Sequence, residues 1–407
     1  MDKIVNTLVV TSILPMPYID HKKNENNILF ITEDNISLLD KGISFTYIYT
    51  VPYSNLFLSL LSRKWRQYFI LKKKRIVKSD GRNVHILPVF QLPIRTFLDP
   101  LLFSLSFYLN KSRLRSIIVN NGINVTHSHN SVVDGFIGRK ILKHFKISFL
   151  ITDRGLKDGR SIPRFVKKNW DSASHIISLN RIGQSKLPEV YLKKASIIPH
   201  GIDRNYYIDN SFIESKFDKV PSNTAERIKL VSVGRLVRGK NFDTLIKAMP
   251  KLENFELDIY GDGSEEIYNE LSQLIINLHL QDRVRLLGFL ENEVLLGCLS
   301  RYDIFVLLSF KESFGRVYLE AMARGLMIVC SKGTGFDGIV KDESEGFVID
   351  PEDIDSYISR MRQLEIDGAS KIKELSIHAF KKATEFRWET IASKIYALYS
   401  EIANKKN

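Results

Sequence analysis

Short apolar runs alternate with polar, glycine-bearing turns and with stretches of helical spacing along most of this chain. Residues 3–12 pass from alternation into a β-branched run and predict a first strand, followed by a loop at Ile13-Leu14-Pro15-Met16-Pro17. A helix is expected over residues 27–40, a second strand over 42–51, and a further strand and loop over 85–93. The helix predicted over 99–110 is too short to span a bilayer. A strand ending at His129 leads into a helix over 132–145, and strands follow at 147–152, 175–180 and 196–199. From residue 229 the rhythm restarts with strand, glycine loop and helix. It continues with a strand and turn at 257–263, a helix at 266–278, a buried strand at 302–309, a helix at 317–325 and a short strand at 345–349. Strands alternating with helices build parallel sheets covered on both faces. At 407 residues the chain is too long for one ordinary core, so two such domains are expected, 1–203 and 228–387, joined by a polar, weakly patterned linker at 204–227.

The stretch richest in chemistry is SFKESFGRVYLEAMARGLMIVC, residues 309–330. Glu312 and Glu320 bracket a strand-to-helix turn, Glu312 in the loop and Glu320 about one turn into the helix. Such a turn lies at the carboxyl edge of a parallel sheet, where open α/β folds bind ligands, and the N–H groups of Phe314 and Gly315 favour an anion there. Two isolated glutamates also read as an exposed helix residue and a first-turn acid favoured by the helix dipole. A second loop, GRLVRGKN from Gly234, fits seven positions of G-x-x-x-x-G-K-[ST] but has Asn241 at the eighth. A nucleotide triphosphatase needs a hydroxyl on Mg²⁺ at that position, so the loop argues against that class. The lone G-x-G at Gly261 and Gly263, with Glu266 where a third glycine would stand, is weak evidence for a dinucleotide site.

Charge changes the picture of the first half. Up to Asp203 the chain has 31 Lys and Arg against 14 Asp and Glu, a balance of +17; from Arg204 it has 28 against 32, a balance of −4. No acid occurs between Asp40 and Asp80, while residues 62–78, SRKWRQYFILKKKRIVK, carry eight basic residues interleaved with Trp65, Tyr68, Phe69, Ile70 and Leu71. Basic and aromatic residues at helical spacing suit a helix lying on an anionic membrane, or a solvated basic face with Trp65 packed on its own domain. No nucleic-acid-binding module is visible, so nucleic acid is not expected as a partner. The two cysteines, Cys298 and Cys330, give no disulfide framework and fit a reducing compartment. With no apolar run of spanning length, a cytoplasmic protein peripheral to the inner face of the plasma membrane is expected. His127 and His129 share one side of a strand end, but no acid or thiol stands beside them at ligand spacing, and no metal is predicted. Asp153, at the next strand end, is either a proton acceptor for a hydroxyl or a partner of Arg154 or of the next turn.

ESFGRVYLEAMARG resembles the signature of the retaining nucleotide-sugar glycosyltransferases of family 4, in which two glutamates bracket seven residues and run into an Ala-Met-Ala-x-Gly helix. GRLVRGKN is similar to that family's diphosphate-clamping loop, and His200-Gly201-Ile202-Asp203 to its Pro-Asn-Gly-Ile-Asp turn. The resemblance implies a GT-B fold: two Rossmann-like, doubly wound parallel-sheet domains facing a central cleft, with the last helix, 388–407, packing back on the first domain. It implies transfer of a sugar, with retention, from a nucleotide diphosphate sugar, UDP favoured, to a hydroxyl of a lipid-linked or surface glycan in polysaccharide synthesis. Carried over by position, Arg235 and Lys240 clamp the diphosphate, Glu312 lies by the donor sugar, and Glu320 holds the ribose. Gly234, Gly261, Ser313, Phe314 and Gly315 complete the donor side, while His129 and Asp153 are the acceptor-side candidates. The family often carries a glycine pair after the first strand, near the donor phosphate; here the next glycine is Gly42. Many members have a histidine where this chain has Asp153. The nucleotide sugar is a co-substrate, and no further cofactor is implied. Competing readings are a non-hydrolysing sugar epimerase on the same fold, which gives no reason for the Glu312–Glu320 spacing, and a non-catalytic basic scaffold at a membrane.

Overall fold

The computed structural model describes residues 5–12, 43–79, 82–91, 97–154, 162–218 and 227–405. The loop expected at 13–17, the helix at 27–40 and Gly42 lie outside the described residues. The chain divides into two compact units: Met1–Leu179 with Gly183–Ile198 and Ile391–Asn407, and Asn180–Ile182 with Pro199–Thr390.

The first unit holds β1 (Asn6–Thr11), β2 (Ser44–Pro52), β3 (Ile76–Ser79), β4 (Arg82–Val89), β5 (Val125–Ser128), β6 (Ser148–Asp153), β7 (His175–Ser178) and β8 (Ala195–Ile197). They form one sheet in the order β3-β4-β2-β1-β5-β6-β7-β8, parallel except for the β3–β4 pair. Both faces are covered, which is why its strands read as continuous apolar runs. Leu8, Val10, Ile48 and Leu87 point to one face, under Phe107, Leu114, Ile137 and Ile141. Val9, Tyr47, Val84 and Ile86 point to the other, where Leu71 packs.

Residues 62–78, expected as one helix, are a helix and a strand. Helix Arg63–Lys73 starts at Ser62, whose side chain accepts from the Trp65 N–H. It stops before Ile76 and Val77, a β-branched pair that alternates exposed and buried and pairs with β4.

The second unit holds β9 (Ile228–Val233), β10 (Phe255–Tyr260), β11 (Val284–Gly288), β12 (Ile304–Leu307), β13 (Met327–Ser331) and β14 (Gly346–Ile349), all parallel, in the order β11-β10-β9-β12-β13-β14. The chain leaves β9 towards β10 on one side and β12 towards β13 on the other. The loops after β9 and β12 therefore flank the switch point, where a doubly wound sheet opens a crevice.

Residues 204–218, expected as linker, belong to this second unit. Tyr206 and Ile213 are buried, the Ile208 N–H donates to the Ala323 carbonyl at 3.1 Å, and helix Asn210–Asp218 lies beside Gly325. Isolated apolar residues in a polar stretch carry no periodic signal; their burial comes from the surface they meet.

Candidate active site

The loop after β9 owes its shape to close backbone packing. The Gly234 N–H donates to Tyr260 and the Leu236 N–H to Asp262. Gly261 has φ +151°, and a Cβ on it would lie 1.8 Å from the Gly234 carbonyl oxygen. The G-x-G is thus the contact that lets two loops meet. Asn241 adopts a left-handed conformation (φ +58°) that asparagine tolerates, and it precedes helix Phe242–Ala248. Its buried amide donates to the Pro351 carbonyl at 2.9 Å and accepts from Thr244 at 2.7 Å. The eighth position of the near P-loop therefore has a structural task incompatible with holding Mg²⁺.

That loop delivers Lys240 to Glu312. The Lys240 ammonium donates to the Glu312 carboxylate in a half-buried ion pair, and the neighbouring Phe310 N–H donates to the Gly239 carbonyl at 3.0 Å. Arg235 is exposed on the same loop. Beyond Glu312 the chain turns at Gly315 (φ +86°), where a Cβ would press on the Tyr318 ring at 2.6 Å, and enters helix Arg316–Ala323. The first N–H groups of a helix have no intrahelical partner. Gly335 packs flat on this turn: its N–H donates to the Glu312 carbonyl, and a Cβ would lie 2.3 Å from the Ser313 carbonyl oxygen. Phe336 stacks on Tyr318 at 4.6 Å, His200 meets Phe314 edge-on at 5.2 Å, and Asn180 donates to the Ser313 carbonyl.

Glu320 lies one turn into that helix, 7% exposed. Burial raises its pKa, opposed by the Arg316 guanidinium, whose Nε is 3.1 Å away. Arg316 also donates to the Tyr206 hydroxyl at 2.8 Å and lies over that ring, while Asn292 donates to the same hydroxyl. Sequence reasoning left out Arg316, Tyr206 and Asn180. The i,i+4 spacing of Arg316 and Glu320 was a usable signal; the other two are brought in by the fold alone.

In the first unit, His129 and Asp153 stand at the carboxyl ends of β5 and β6. Asp153 accepts from the Ser131 hydroxyl, which in turn accepts from the Trp170 indole N–H at 2.9 Å. Arg154, a proposed partner for Asp153, donates to His129 Nδ1 at 3.2 Å. His127 is buried, its Nδ1 sharing a hydrogen bond with the Tyr399 hydroxyl at 2.6 Å and its Nε2 with Thr152 at 2.7 Å. Burial, helped by the Arg154 charge, pushes its pKa down to about 3. With both ring nitrogens engaged it is a satisfied core histidine, and among the described residues no group of three or more potential ligands could hold a metal. Nothing in the local pattern pointed to Asp134. This fully buried carboxyl accepts from the Ser12 N–H at 3.0 Å, the Thr50 hydroxyl at 2.8 Å and Asn130. Burial, against the lowering effect of those donors, raises its pKa to about 7. The first N–H after β1, in the region where a glycine pair was missed, is thus already taken by a carboxyl group.

Residues 213–382 match the family described as glycosyl transferases group 1. That match lies inside the second unit and spans less than half of the chain. The chain is 25% identical over 338 residues to the phosphatidylinositol N-acetylglucosaminyltransferase gpi3 subunit of Schizosaccharomyces pombe, covering 79% of this chain and 70% of that protein. Over 145 residues, 36% of this chain and 41% of the relative, it is 34% identical to the lipopolysaccharide core biosynthesis glycosyltransferase LpsD of Rhizobium meliloti. Among solved structures, sucrose-phosphate synthase from Thermosynechococcus elongatus superposes with a TM-score of 0.72 at 17% identity, covering 98% of this chain and 99% of that one. Anabaena Alr3699/HepE in complex with UDP does so with 0.68 at 17%, covering 98% and 100%. At such identities the likeness establishes the fold: two parallel-sheet α/β units of the GT-B kind, with Lys240, Glu312 and Glu320 all inside the matched glycosyl transferase domain.

Proposed function

We propose that this group 1 glycosyltransferase is a retaining enzyme of the family 4 type, which moves a sugar from a nucleotide diphosphate sugar to a hydroxyl of a lipid-linked or surface-glycan acceptor in polysaccharide synthesis. The observation that carries the reading is the Lys240–Glu312 pair, set at the switch point of the second sheet beside the start of helix Arg316–Ala323. A cation and a helix N-terminus converging on one spot suit a diphosphate. Lys240, a compact charge on a mobile stem, exchanges its carboxylate partner for a phosphate oxygen when the donor enters, and Arg235 adds a bidentate fork. Glu312, released from Lys240, is left beside the donor sugar, and Glu320 lies further along the helix for the ribose. Catalysis then rests on positioning and on stabilising the departing diphosphate. On the acceptor side, Asp153 and His129 would meet the hydroxyl.

UDP is the favoured nucleotide because HepE, of the same fold, was solved with UDP and with UDP-glucose. A lipid-linked acceptor is supported by two relatives whose names carry a lipid, phosphatidylinositol in one and lipopolysaccharide in the other. An enzyme with such an acceptor works at a membrane surface, here the cytoplasmic face. The basic stretch 62–78 would supply attraction to anionic lipid, with Leu56, Phe57 and Leu60 exposed just before it. Among the described residues no helix is long and apolar enough to cross a membrane.

The test is release of free UDP or GDP across a panel of sugar nucleotides with a membrane extract as acceptor, followed by NMR of the product anomer. A product of inverted configuration would overturn the retaining assignment. Absence of any nucleotide-sugar binding would leave the scaffold reading in its place.

A further inference from the structure

Helix Asp99–Leu109 has two apolar faces, and among the described residues only one is buried. Phe103, Ser106 and Phe107 point into the first unit's core. Leu101, Leu105, Tyr108 and Leu109, at the i, i+4, i+7, i+8 spacing of a single stripe, are 48–67% exposed, and Phe97 and Leu98 are exposed just before them. Soluble proteins rarely leave a contiguous apolar patch of this kind facing water without a partner for it.

The border of the stripe is cationic. Lys140, on the neighbouring helix Val133–Phe145, places its ammonium 5.1 Å from the centre of the Tyr108 ring. His144, from the same helix, lies 3.4 Å from the Tyr108 hydroxyl. Burial, and then the charges of Lys111, Lys140, Lys143 and Lys146, hold the His144 pKa below the usual imidazole range. Four lysines therefore gather at the far end of the stripe.

We infer that the Leu101–Leu105–Tyr108–Leu109 face, with its lysine border, is the surface by which the first unit seats itself in an anionic lipid bilayer. An apolar stripe rimmed by lysines is the pattern of a helix lying in a membrane interface, its aliphatic residues below the headgroups and its ammonium groups among the lipid phosphates. A second copy of the chain is a poorer occupant, because a symmetric contact on this face sets the lysines against their own equivalents.

The surface differs from the basic stretch 62–78. Helix Arg63–Lys73 packs on the opposite face of the sheet and turns Leu71 inward. Both helices pack beside β4, the strand next to the sheet's edge, one on each face of the sheet.

This inference rests on the membrane reading above, and its experiment separates the two. Co-flotation of the full chain with vesicles of phosphatidylglycerol and phosphatidylcholine is compared for wild type, Leu101→Ser/Leu105→Ser/Leu109→Ser and Lys72→Ser/Lys73→Ser/Lys74→Ser/Arg75→Ser. The leucine variant should lose tenfold or more in vesicle binding with an unchanged melting temperature, since these side chains hold nothing inside. The fluorescence of the Leu105→Trp variant should be quenched by lipids brominated on their acyl chains, in excess of the quenching seen in wild type. Wild-type protein that ignores anionic vesicles would overturn both readings. Binding by the leucine variant within twofold of wild type, or no added quenching in Leu105→Trp, would overturn the inference and leave the membrane reading standing. A wild-type dimer that the leucine variant converts to monomer would also overturn it, making the face a contact between copies.

Discussion

Lys240 and Glu312 form an ion pair across 72 residues of sequence, tying the loop after β9 to the loop after β12. Each side chain reaches that point for a separate reason: Lys240 through a glycine loop packed backbone-to-backbone on Gly261, Glu312 through a turn that only Gly315 can make.

Removing the cation should disable transfer while sparing the fold. Lys240→Ala is expected to lower kcat with the accepted donor by roughly 10²-fold or more, the loss typical of a charge-stabilising group. Steady-state nucleotide release measures it, and near-normal turnover would remove Lys240 from the clamp.

Arg316 is expected to act through Glu320. In Arg316→Met the buried carboxylate loses its cation and Tyr206 loses a donor, so calorimetric affinity for UDP should fall and the second unit should melt earlier. Arg316→Lys keeps the charge but not the fork, and should recover part of the UDP affinity. If the methionine variant binds UDP as wild type does, Glu320 does not depend on Arg316.

Asp134 should tilt the stability of the first unit with pH. Its folded pKa, about 7, lies above its ordinary value of 3.8, so the folded state holds more protons between those limits. Its contribution is complete below about pH 4 and is lost as pH rises towards 7, at no more than about 1.4 kcal/mol per pH unit. Urea unfolding from pH 4 to 8 should show this slope in wild type and lack it in Asp134→Asn. The variant should be weaker at pH 4, because an amide hydrogen then faces donors, and the gap should narrow as pH rises towards 7.

His127 should act in the opposite sense. Its folded pKa, about 3, lies below the ordinary 6.5, so its contribution is present above about pH 6.5 and drains away as pH falls towards 3. Tyr399→Phe leaves a buried ring nitrogen without its partner and should cost about 1–3 kcal/mol in urea unfolding at neutral pH. An unchanged midpoint would show that the final helix is held by packing alone.

The candidate site of the second unit was more legible than that of the first. Glu312, Glu320, Gly234 and Lys240 sit in local patterns, a strand-to-helix turn and a glycine loop, whose form follows from neighbours a few residues away. Asp134 and Tyr399 sit in no pattern, since their partners lie across the sheet. The stretch at 204–218 failed as a linker for the same reason: Tyr206 and Ile213 are single apolar residues whose burial needs a surface made by α-helical and strand residues far along the chain.

The alternation of apolar runs and helical stretches, by itself, determined two parallel α/β units and the turns that hold Lys240 and Glu312, because backbone period and glycine placement are local properties. Tertiary structure alone decided which side chains share a point in space. It joined Lys240 to Glu312 and Arg316 to Tyr206, set Asp134 against the Ser12 N–H, and left one face of helix Asp99–Leu109 uncovered. Burial and charge pairing depend on distance in three dimensions, and strand order, which sets those distances, is not written in any single stretch of the chain.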